Sequence, residues 1–260
     1  METIEKNKKT YTLHFIKTNK FKNIQIRISF RSKIKKEEIT IRNFLVSMLA
    51  FSTKKYKTKR DLMIRSQELY GVNIASKNMR LGNYMISTFN LSTLEEKYTE
   101  KGNLGECIEL LSEMIFHPNV EKLSFDQESF DVVRNNIETE IKSFKENTES
   151  YSIMRMFENM DSKAPFSYRM IGYYEDFEKI TPENLYTYYK DFIRNNIIDI
   201  YVIGDFDNNQ MESLIEKNFK FYNLHTQINP YLEVPKIRRR EQKIIETEEL
   251  SQSKLAIGCR

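Results

Sequence analysis

Residues 22–51 read KNIQIRISFRSKIKKEEITIRNFLVSMLAF, and the two halves of this stretch have different hydrophobic periods. In residues 22–31 apolar and polar residues alternate, which is typical of a β-strand with one buried face and one solvated face. In residues 38–51 the apolar residues recur at helical spacing. These positions are Ile41, Leu45, Met48 and Leu49. The stretch therefore predicts a strand followed by an amphipathic helix.

The rest of the chain continues this alternation of strands and helices. Further strands are predicted over residues 11–17, 72–80, 83–91, 197–203 and 253–259. Further helices are predicted over residues 58–70 with Thr58 as N-cap, and over 104–116, 124–144, 150–160, 181–195 and 208–219. Pairs of strands that alternate with pairs of helices favour an α+β fold, with helices packed on one face of a mostly antiparallel sheet.

The domain organisation follows from a change in composition near residue 222. Residues 1–222 are predicted to form one α+β domain, and the polar stretch 223–250, with Arg238, Arg239 and Arg240, to form a linker. The predicted strand 253–259 is cut short by the end of the sequence. An interrupted apolar strand would leave its backbone unpaired, so we expect either that the native chain continues past Arg260 or that this strand docks on the first domain.

The composition excludes several classes of protein. Gly and Pro are scarce, at 7 and 5 residues, and the sequence contains neither G-x-G-x-x-G nor G-x-x-x-x-G-K-[ST], so nucleotide binding by those loops has no support. Cys107 and Cys259 are far apart and form neither a disulfide framework nor a C-x-x-C metal site. The sequence has no apolar stretch of membrane-spanning length and no secretory leader, which predicts a soluble, cytoplasmic protein.

The charge is distributed unevenly, although the formal net charge is only +4. The first 60 residues contain 17 Lys and Arg against 4 Asp and Glu, whereas the remaining 200 contain 24 against 33. We interpret the basic residues as a solvated face that complements the acidic remainder. Contact with nucleic acid and contact with an acidic partner surface remain open as alternatives.

Four blocks in a fixed order carry a family resemblance. They are NFLVSML (43–49), ELLSEMIFHP (109–118) followed by IETEI (137–141), PFSYRMIG (165–172) and IYVIGDF (200–206). This succession resembles the first half of the insulinase (pitrilysin) family of metallopeptidases over about residues 10–220. The resemblance implies an α+β half that is joined by a linker to a second homologous half, which would begin in residues 251–260.

The resemblance also identifies the candidate site. In active members the first block is H-x-x-E-H on a helix: the two histidines bind zinc, the glutamate is the general base, and a glutamate on a later helix completes the metal site. Here these three positions match Asn43, Val46 and Ser47, and the distal ligand position matches Glu140, with Glu138 nearby. One carboxylate cannot hold zinc alone, and Val46 cannot activate water. We therefore expect no bound metal, no cofactor and no catalysis.

The other candidate residues have simpler interpretations. Glu138 and Glu140 are expected on a solvated helix face or in a local salt bridge, with a vestigial site or a substrate contact as the alternatives. The histidines do not form an H-x-x-x-H pair, and Cys107 with His117 is a weak nucleophile–base pair because nothing activates the thiol. The tyrosines between 168 and 189 are expected to pack structurally, with a peptide-binding or partner surface as the alternative. The histidines are His14, His117 and His225, and the tyrosines are Tyr168, Tyr173, Tyr174, Tyr186, Tyr188 and Tyr189.

Together these features predict a function without catalysis. The resemblance implies a non-catalytic member that forms a heterodimer with an active paralogue and helps to enclose and bind a peptide or protein substrate. Within the family the sequence is most similar to inactive bacterial members associated with the aminopentanol modification of elongation factor P. Two alternatives are an active zinc peptidase with metal ligands from outside this chain, and a basic module that binds nucleic acid. We expect neither nucleic acid nor membrane among the partners.

Overall fold

A six-stranded sheet lies at the centre of the fold in the computed structural model, which describes residues 2–222, 244–245 and 253–258. The sheet strands are β1 (Glu2–Asn7), β2 (Thr12–Lys17), β3 (Asn23–Lys33), β4 (Asn73–Leu81), β5 (Tyr84–Leu94) and β8 (Ile197–Gly204), and β6 (Val120–Glu121) and β7 (Ser124–Phe125) form a hairpin. The helices are α1 (Ile39–Leu49), α2 (Lys59–Glu68), α3 (Asn103–Phe116), α4 (Gln127–Ser143), α5 (Thr148–Met160), α6 (Pro182–Asn195) and α7 (Asn208–Asn218).

The strand order in the sheet is β1-β2-β8-β3-β5-β4. The pairing of β2 with β8 is parallel and the other pairings are antiparallel. Strand β8 enters between β2 and β3 because its apolar, β-branched residues need burial, and Ile198, Ile200 and Val202 are fully buried there. The predicted α+β fold with a mostly antiparallel sheet is confirmed.

The alternation in β3 determines which face of the sheet meets the helices. Its buried residues are Ile24, Ile26, Ile28 and Phe30. Gln25 and Arg27, which lie between them, are exposed. The Phe30 ring packs 4.6 Å from the ring of Phe192 on α6, measured between centroids. Burial of each such apolar side chain contributes about 1.5–3 kcal/mol, so this face is a principal source of stability.

Helix α4 begins later than predicted. The prediction started the helix at Ser124, but Ser124 and Phe125 form β7, which pairs with β6. Asp126 is the N-cap, since its side chain accepts a hydrogen bond of 2.9 Å from the backbone N–H of Ser129. A capping carboxylate satisfies an otherwise unpaired amide, and this fixes the first turn of the helix after the hairpin.

The predicted strand at 253–259 is wrong for the part that the structure describes. Residues 253–258 have no regular secondary structure, and they lie against α5, where a Cβ on Gly258 would come within 2.8 Å of the Met156 sulfur. A helix offers no unpaired backbone edge, so a segment that packs on α5 cannot form a ladder there. Most of the predicted linker 223–250 falls outside the described residues, as do His225, the arginines 238–240 and Cys259.

Strand β1 was absent from the prediction because its only buried-side apolar residue is Ile4. Its position is secured by ion pairs with α7: Lys6 Nζ lies 2.5 Å from Glu212 Oε2, Lys8 also pairs with Glu212, and Lys8 Nζ lies 2.8 Å from Glu216 Oε1. The hydrogen bonds from Lys6 and Lys8 hold the pKa of the Glu212 carboxyl below its ordinary value of 4.5.

Substitution of Glu212 by Gln should lower the free energy of unfolding by about 1 kcal/mol at pH 7. A carboxyl whose pKa is lower in the folded state stabilises the fold above its unfolded pKa, and this stabilisation is lost as the pH falls through the folded pKa. The free energy of unfolding of the wild type, measured with urea, should therefore fall as the pH is lowered below 4.5. The free energy of unfolding of the Glu212→Gln variant should fall less steeply over the same range. Equal acid sensitivity of the two proteins would contradict this account.

Candidate functional site

A cavity of about 630 Å³ opens between α1, β4 and α4. It brings together the four residues that the resemblance selected, since Asn43, Val46 and Ser47 of α1 and Glu140 of α4 all line it. The remaining lining residues are Ser76, Lys77, Asn78, Ile137, Ser143, Phe144, Asn147, Met170 and Ile171. The structure places Asn43, Val46, Ser47 and Glu140 around one cavity. Their correspondence to zinc-site positions stays a prediction.

The amphipathic character of α1 explains this placement. Phe44 and Leu45 on one side of the helix and Met48 and Leu49 one turn later are buried in the core. Residues 43 and 47 are separated by four positions and share the opposite face. The ring of Phe44 stacks 4.6 Å from that of Phe130 on α4, which holds the two helices together beside the cavity.

Asn43 has both of its polar side-chain atoms engaged. Its Nδ2 donates to the backbone oxygen of Met170 at 2.8 Å, and its Oδ1 accepts from Asn78 Nδ2 at 2.8 Å. The side chain therefore joins α1 to β4 and to the segment that carries Met170. This amide is neutral and already engaged at both ends, and a neutral amide is not among the ligands that zinc sites use.

Beside Asn43, the fully buried Arg42 connects the core to this site. Its exposed fraction is 1%, and burial lowers the pKa of its guanidinium. It donates to Ser87 Oγ at 2.7 Å, to Ser32 Oγ at 2.5 Å, and at 2.8 Å to both the Phe30 oxygen and Asn196 Oδ1. All these acceptors are neutral, so hydrogen bonds to neutral groups, together with the Coulombic attraction of Glu38, compensate the buried charge.

The same hydrogen bonds continue to the cavity wall. The Ser87 hydroxyl accepts from Arg42 and donates to Asn78 Oδ1 at 2.5 Å, and Asn78 in turn donates to Asn43. Asn78 is therefore fixed in the orientation that presents its amide group to α1. Ser76 and Asn78 were not among the predicted site residues, although polar residues at alternate positions of a predicted strand share one face and could have indicated them.

Val46 and Ser47 offer little metal chemistry. Val46 is 3% exposed and contributes only a hydrocarbon surface, while its backbone oxygen accepts from Ser76 Oγ at 3.4 Å. Ser47 is half-buried and brings a neutral hydroxyl to the cavity. Neither side chain can act as a general base.

The two glutamates of α4 have different environments. Glu138 accepts from Lys142 Nζ at 2.6 Å and from the Tyr174 hydroxyl at 3.2 Å, and both hydrogen bonds lower the pKa of its carboxyl. This pair is the local salt bridge that the sequence predicted as one possibility. Glu140 is exposed and lines the cavity, where it is the acidic side chain among the described lining residues.

This set of donors does not fit zinc. A catalytic zinc needs about three protein ligands from Cys, His, Asp or Glu and an open position for water, whereas the cavity offers one carboxylate, Glu140, beside neutral serine hydroxyls and asparagine amides. Within residues 2–222, 244–245 and 253–258, no three His, Cys, Asp or Glu side chains are grouped so that they could hold a metal ion. The residues present therefore support no metal-dependent step.

The other catalytic candidates lie elsewhere and are inert or structural. Cys107 is fully buried in α3, and burial raises the pKa of its thiol. It is separated from His117 by ten positions along that helix, or about 15 Å. His14 lies on β2, where its ring stacks 4.4 Å from that of Tyr201. Within residues 2–222, therefore, Cys107 and these histidines do not form a nucleophile–base pair.

The tyrosines divide between the core and the surface. Tyr188 and Tyr189 lie deep in the structure, and burial raises the pKa of both. The Tyr189 hydroxyl donates to the Ile115 backbone oxygen at 3.0 Å, so it has a structural partner. Tyr174 is exposed beside Glu138. Structural packing accounts for the buried members, as predicted.

Basic residues of the first sixty positions pair with acids from the rest of the chain. Besides the β1–α7 pairs, Arg31 Nη2 lies 3.2 Å from Asp199 Oδ2 and Lys57 Nζ lies 3.9 Å from Glu121 Oε1. Arg42 is not available to a partner because it is buried. These contacts support the interpretation that the basic segment complements the acidic remainder of the chain.

Comparison with known proteins adds sequence and fold relationships. Residues 179–260 match the family model described as the Peptidase M16 inactive domain. A search of curated proteins finds "Probable inactive metalloprotease YmfF" of Bacillus subtilis (strain 168), which is 29% identical over 253 residues. That alignment covers 96% of this chain and 59% of the relative, so the chain spans less than two thirds of that protein's length.

Solved structures share the fold. A conserved protein from Enterococcus faecalis V583 superposes with a TM-score of 0.82 at 22% identity, over 87% of this chain and 54% of that chain. A peptidase M16 inactive domain from Pseudomonas fluorescens gives a TM-score of 0.68 at 13% identity, over 88% and 53%. In the part of the chain that the structure describes, no helix combines the length and apolar character required to cross a membrane.

Proposed function

We propose that this chain, which is an inactive metalloprotease-like domain of the M16 (insulinase) family, binds a peptide or protein substrate without cleaving it, as the non-catalytic partner of an active zinc peptidase paralogue. The observation that carries the proposal is the α1 cavity. It has the volume of a ligand pocket, commonly about 300–1,000 Å³, but its side chains do not form a zinc ligand set, and Val46 stands at the position that the resemblance matches to the general base.

The position of the cavity at the edge of the sheet supports a peptide as the ligand. Strand β4 is at one end of the strand order, and Ser76, Lys77 and Asn78 in its middle line the cavity. Among the described residues no strand pairs with its outer edge. An extended peptide can add to such an edge through backbone hydrogen bonds while alternate side chains enter an adjacent pocket.

The wider assignment rests on the resemblance. We propose a heterodimer with the active paralogue, in which this chain helps to enclose the substrate, and a cytoplasmic location. A role beside the modification of elongation factor P is proposed on the same basis. Each of these statements is a proposal, because the chain spans only 59% of the length of the curated relative that it matches.

Binding of short peptides to the full chain tests the proposal. The probe is a mixture of random peptides of nine residues, the length of β4, acetylated and amidated at their ends and labelled for fluorescence anisotropy. We expect saturable binding and no cleavage by mass spectrometry. Peptides that are N-methylated at alternate residues along one edge should bind at least about tenfold more weakly, because they cannot complete the ladder.

Three results would contradict the proposal. Cleavage of the peptides by the metal-free chain would show that the protein is an enzyme. Absence of saturable binding would remove the peptide-binding function. Equal affinity for the N-methylated peptides would show that β4 does not form the binding edge.

A further inference from the structure

We infer that the α1 cavity holds a basic side chain of the bound peptide, with the Glu140 carboxylate as its counter-ion. This inference rests on the proposed function and names the class of peptide that the cavity selects. It follows from the polar groups of the lining, from the direction of the charged side chains and from the position of one aromatic ring.

Glu140 is the charged acceptor that the cavity leaves available. It lines the cavity, and within the described part of the chain no lysine or arginine pairs with it. Glu138, two residues earlier on the same helix, is by contrast occupied by Lys142 and Tyr174. A carboxylate beside apolar walls gains most from a ligand that brings a positive charge and N–H donors.

The neutral polar groups around Glu140 are mostly engaged with one another. Asn43 and Asn78 are bonded as described above, and Ser143 Oγ donates to the Glu140 backbone oxygen at 3.3 Å. Asn147 Oδ1 accepts from the Ser150 backbone N–H at 3.1 Å as the N-cap of α5. The Ser47 hydroxyl has no such bond within the described residues and can accept from a ligand donor. Glu140 thus remains the negatively charged acceptor of the cavity, beside neutral groups that are mostly already hydrogen-bonded.

Lys77 does not compete for Glu140. Its register partner is Thr88, and the flanking residues Ser76 and Asn78 direct their side chains to α1. Since successive side chains of a strand point to opposite faces, the Lys77 ammonium projects to the other face of the sheet. Lys77 therefore contributes to the cavity wall without neutralising it.

Phe144 adds a second feature that suits a cation. It lies four residues after Glu140, lines the same cavity and is half-buried. Residues four apart share one helical face, so the ring and the carboxylate flank one position. A guanidinium can stack on an aromatic ring while it donates to a carboxylate, and an ammonium can do both more weakly.

Peptide mixtures with one fixed central residue test this inference on the full chain. Each mixture has nine residues with acetylated and amidated ends, and the central residue is arginine, lysine, citrulline, norleucine or glutamate. Citrulline keeps the shape of arginine but carries no charge. We expect the arginine mixture to bind about tenfold more tightly than the citrulline mixture, with lysine between them.

Two variants at Glu140 and one matched control identify the group responsible. Glu140→Gln should abolish the preference for arginine over citrulline, and Glu140→Lys should reverse it in favour of glutamate. Glu138→Gln, the same substitution two residues away, should leave the preference unchanged. Because Glu140 is exposed, thermal unfolding midpoints of the Glu140 variants should match that of the wild type.

The outcomes separate this inference from the function on which it rests. Equal binding of the arginine and citrulline mixtures overturns the inference and leaves the proposed function intact, as does a preference that survives in Glu140→Gln. A norleucine mixture with free N-termini is compared with the acetylated norleucine mixture. Tenfold tighter binding of the mixture with free N-termini overturns the side-chain assignment, because the recognised group would then be the terminal ammonium. Absence of binding by every mixture overturns both.

Discussion

Substitution of Arg42 by Ala is expected to lower the free energy of unfolding by about 3–5 kcal/mol. The truncation removes a fully buried side chain and, with it, the hydrogen bonds that Arg42 donates to Ser87 on β5, to the Phe30 oxygen on β3 and to Asn196 just after α6. Each buried acceptor that loses its partner costs about 1–3 kcal/mol. A typical domain has only about 5–15 kcal/mol of net stability, so this substitution should lower the urea concentration at the unfolding midpoint substantially.

Two control variants separate the effect of the lost hydrogen bonds from the effects of lost side-chain volume and lost charge. Arg42→Met retains much of the side-chain volume and should destabilise less than Arg42→Ala, because the cavity is smaller. Arg60→Ala removes an exposed arginine near the start of α2 and should stay within about 0.5 kcal/mol of the wild type. An Arg42→Ala variant that unfolds within 1 kcal/mol of the wild type would contradict the structural role assigned to this residue.

Arg42 also shows where sequence reasoning reaches its limit. The helical period of residues 38–51 predicted α1 correctly, because the apolar positions define a buried face. The burial of an arginine on that helix could not be predicted, since its acceptors come from residues 30, 32, 87 and 196, which only the tertiary fold brings together. A charged residue is by default expected at the surface.

The strands also differ in whether the local sequence predicts them or only tertiary contacts determine them. The alternation in β3 and the apolar run of β8 were strong enough to predict both strands. Strand β1 has little apolar character and exists because β2 and α7 hold it, so its own residues do not indicate it. Residues 253–258 are apolar, but a strand also requires a partner edge, and α5 provides none.

The candidate site was found only in part. The resemblance grouped Asn43, Val46, Ser47 and Glu140, and the structure places all of them around one cavity. The contributions of β4 and of residues 170–171 depend on long-range packing and were missed. The expectation that this site holds no zinc stays a prediction from side-chain chemistry, because an amide, an isopropyl group and a hydroxyl cannot replace two imidazoles and a carboxylate.

The second large effect concerns zinc. Asn43→His combined with Ser47→His should create a zinc site with Glu140, because residues 43 and 47 share one helical face toward the cavity and Glu140 of α4 lines the same cavity. Two imidazoles and one carboxylate are a ligand set that holds catalytic zinc. Val46 is unchanged in this variant, so no general base is restored and peptide cleavage is not expected. Addition of Glu140→Gln should weaken zinc retention, since it removes the only charged ligand.

Zinc content after loading and desalting tests the central claim most directly. Tag-free wild type, the Asn43→His/Ser47→His variant and the same variant with Glu140→Gln are incubated with zinc, desalted and measured by elemental mass spectrometry. The account predicts no retained zinc in the wild type, about one zinc per chain in the double variant and less in the triple variant. One tightly held zinc per wild-type chain would contradict it.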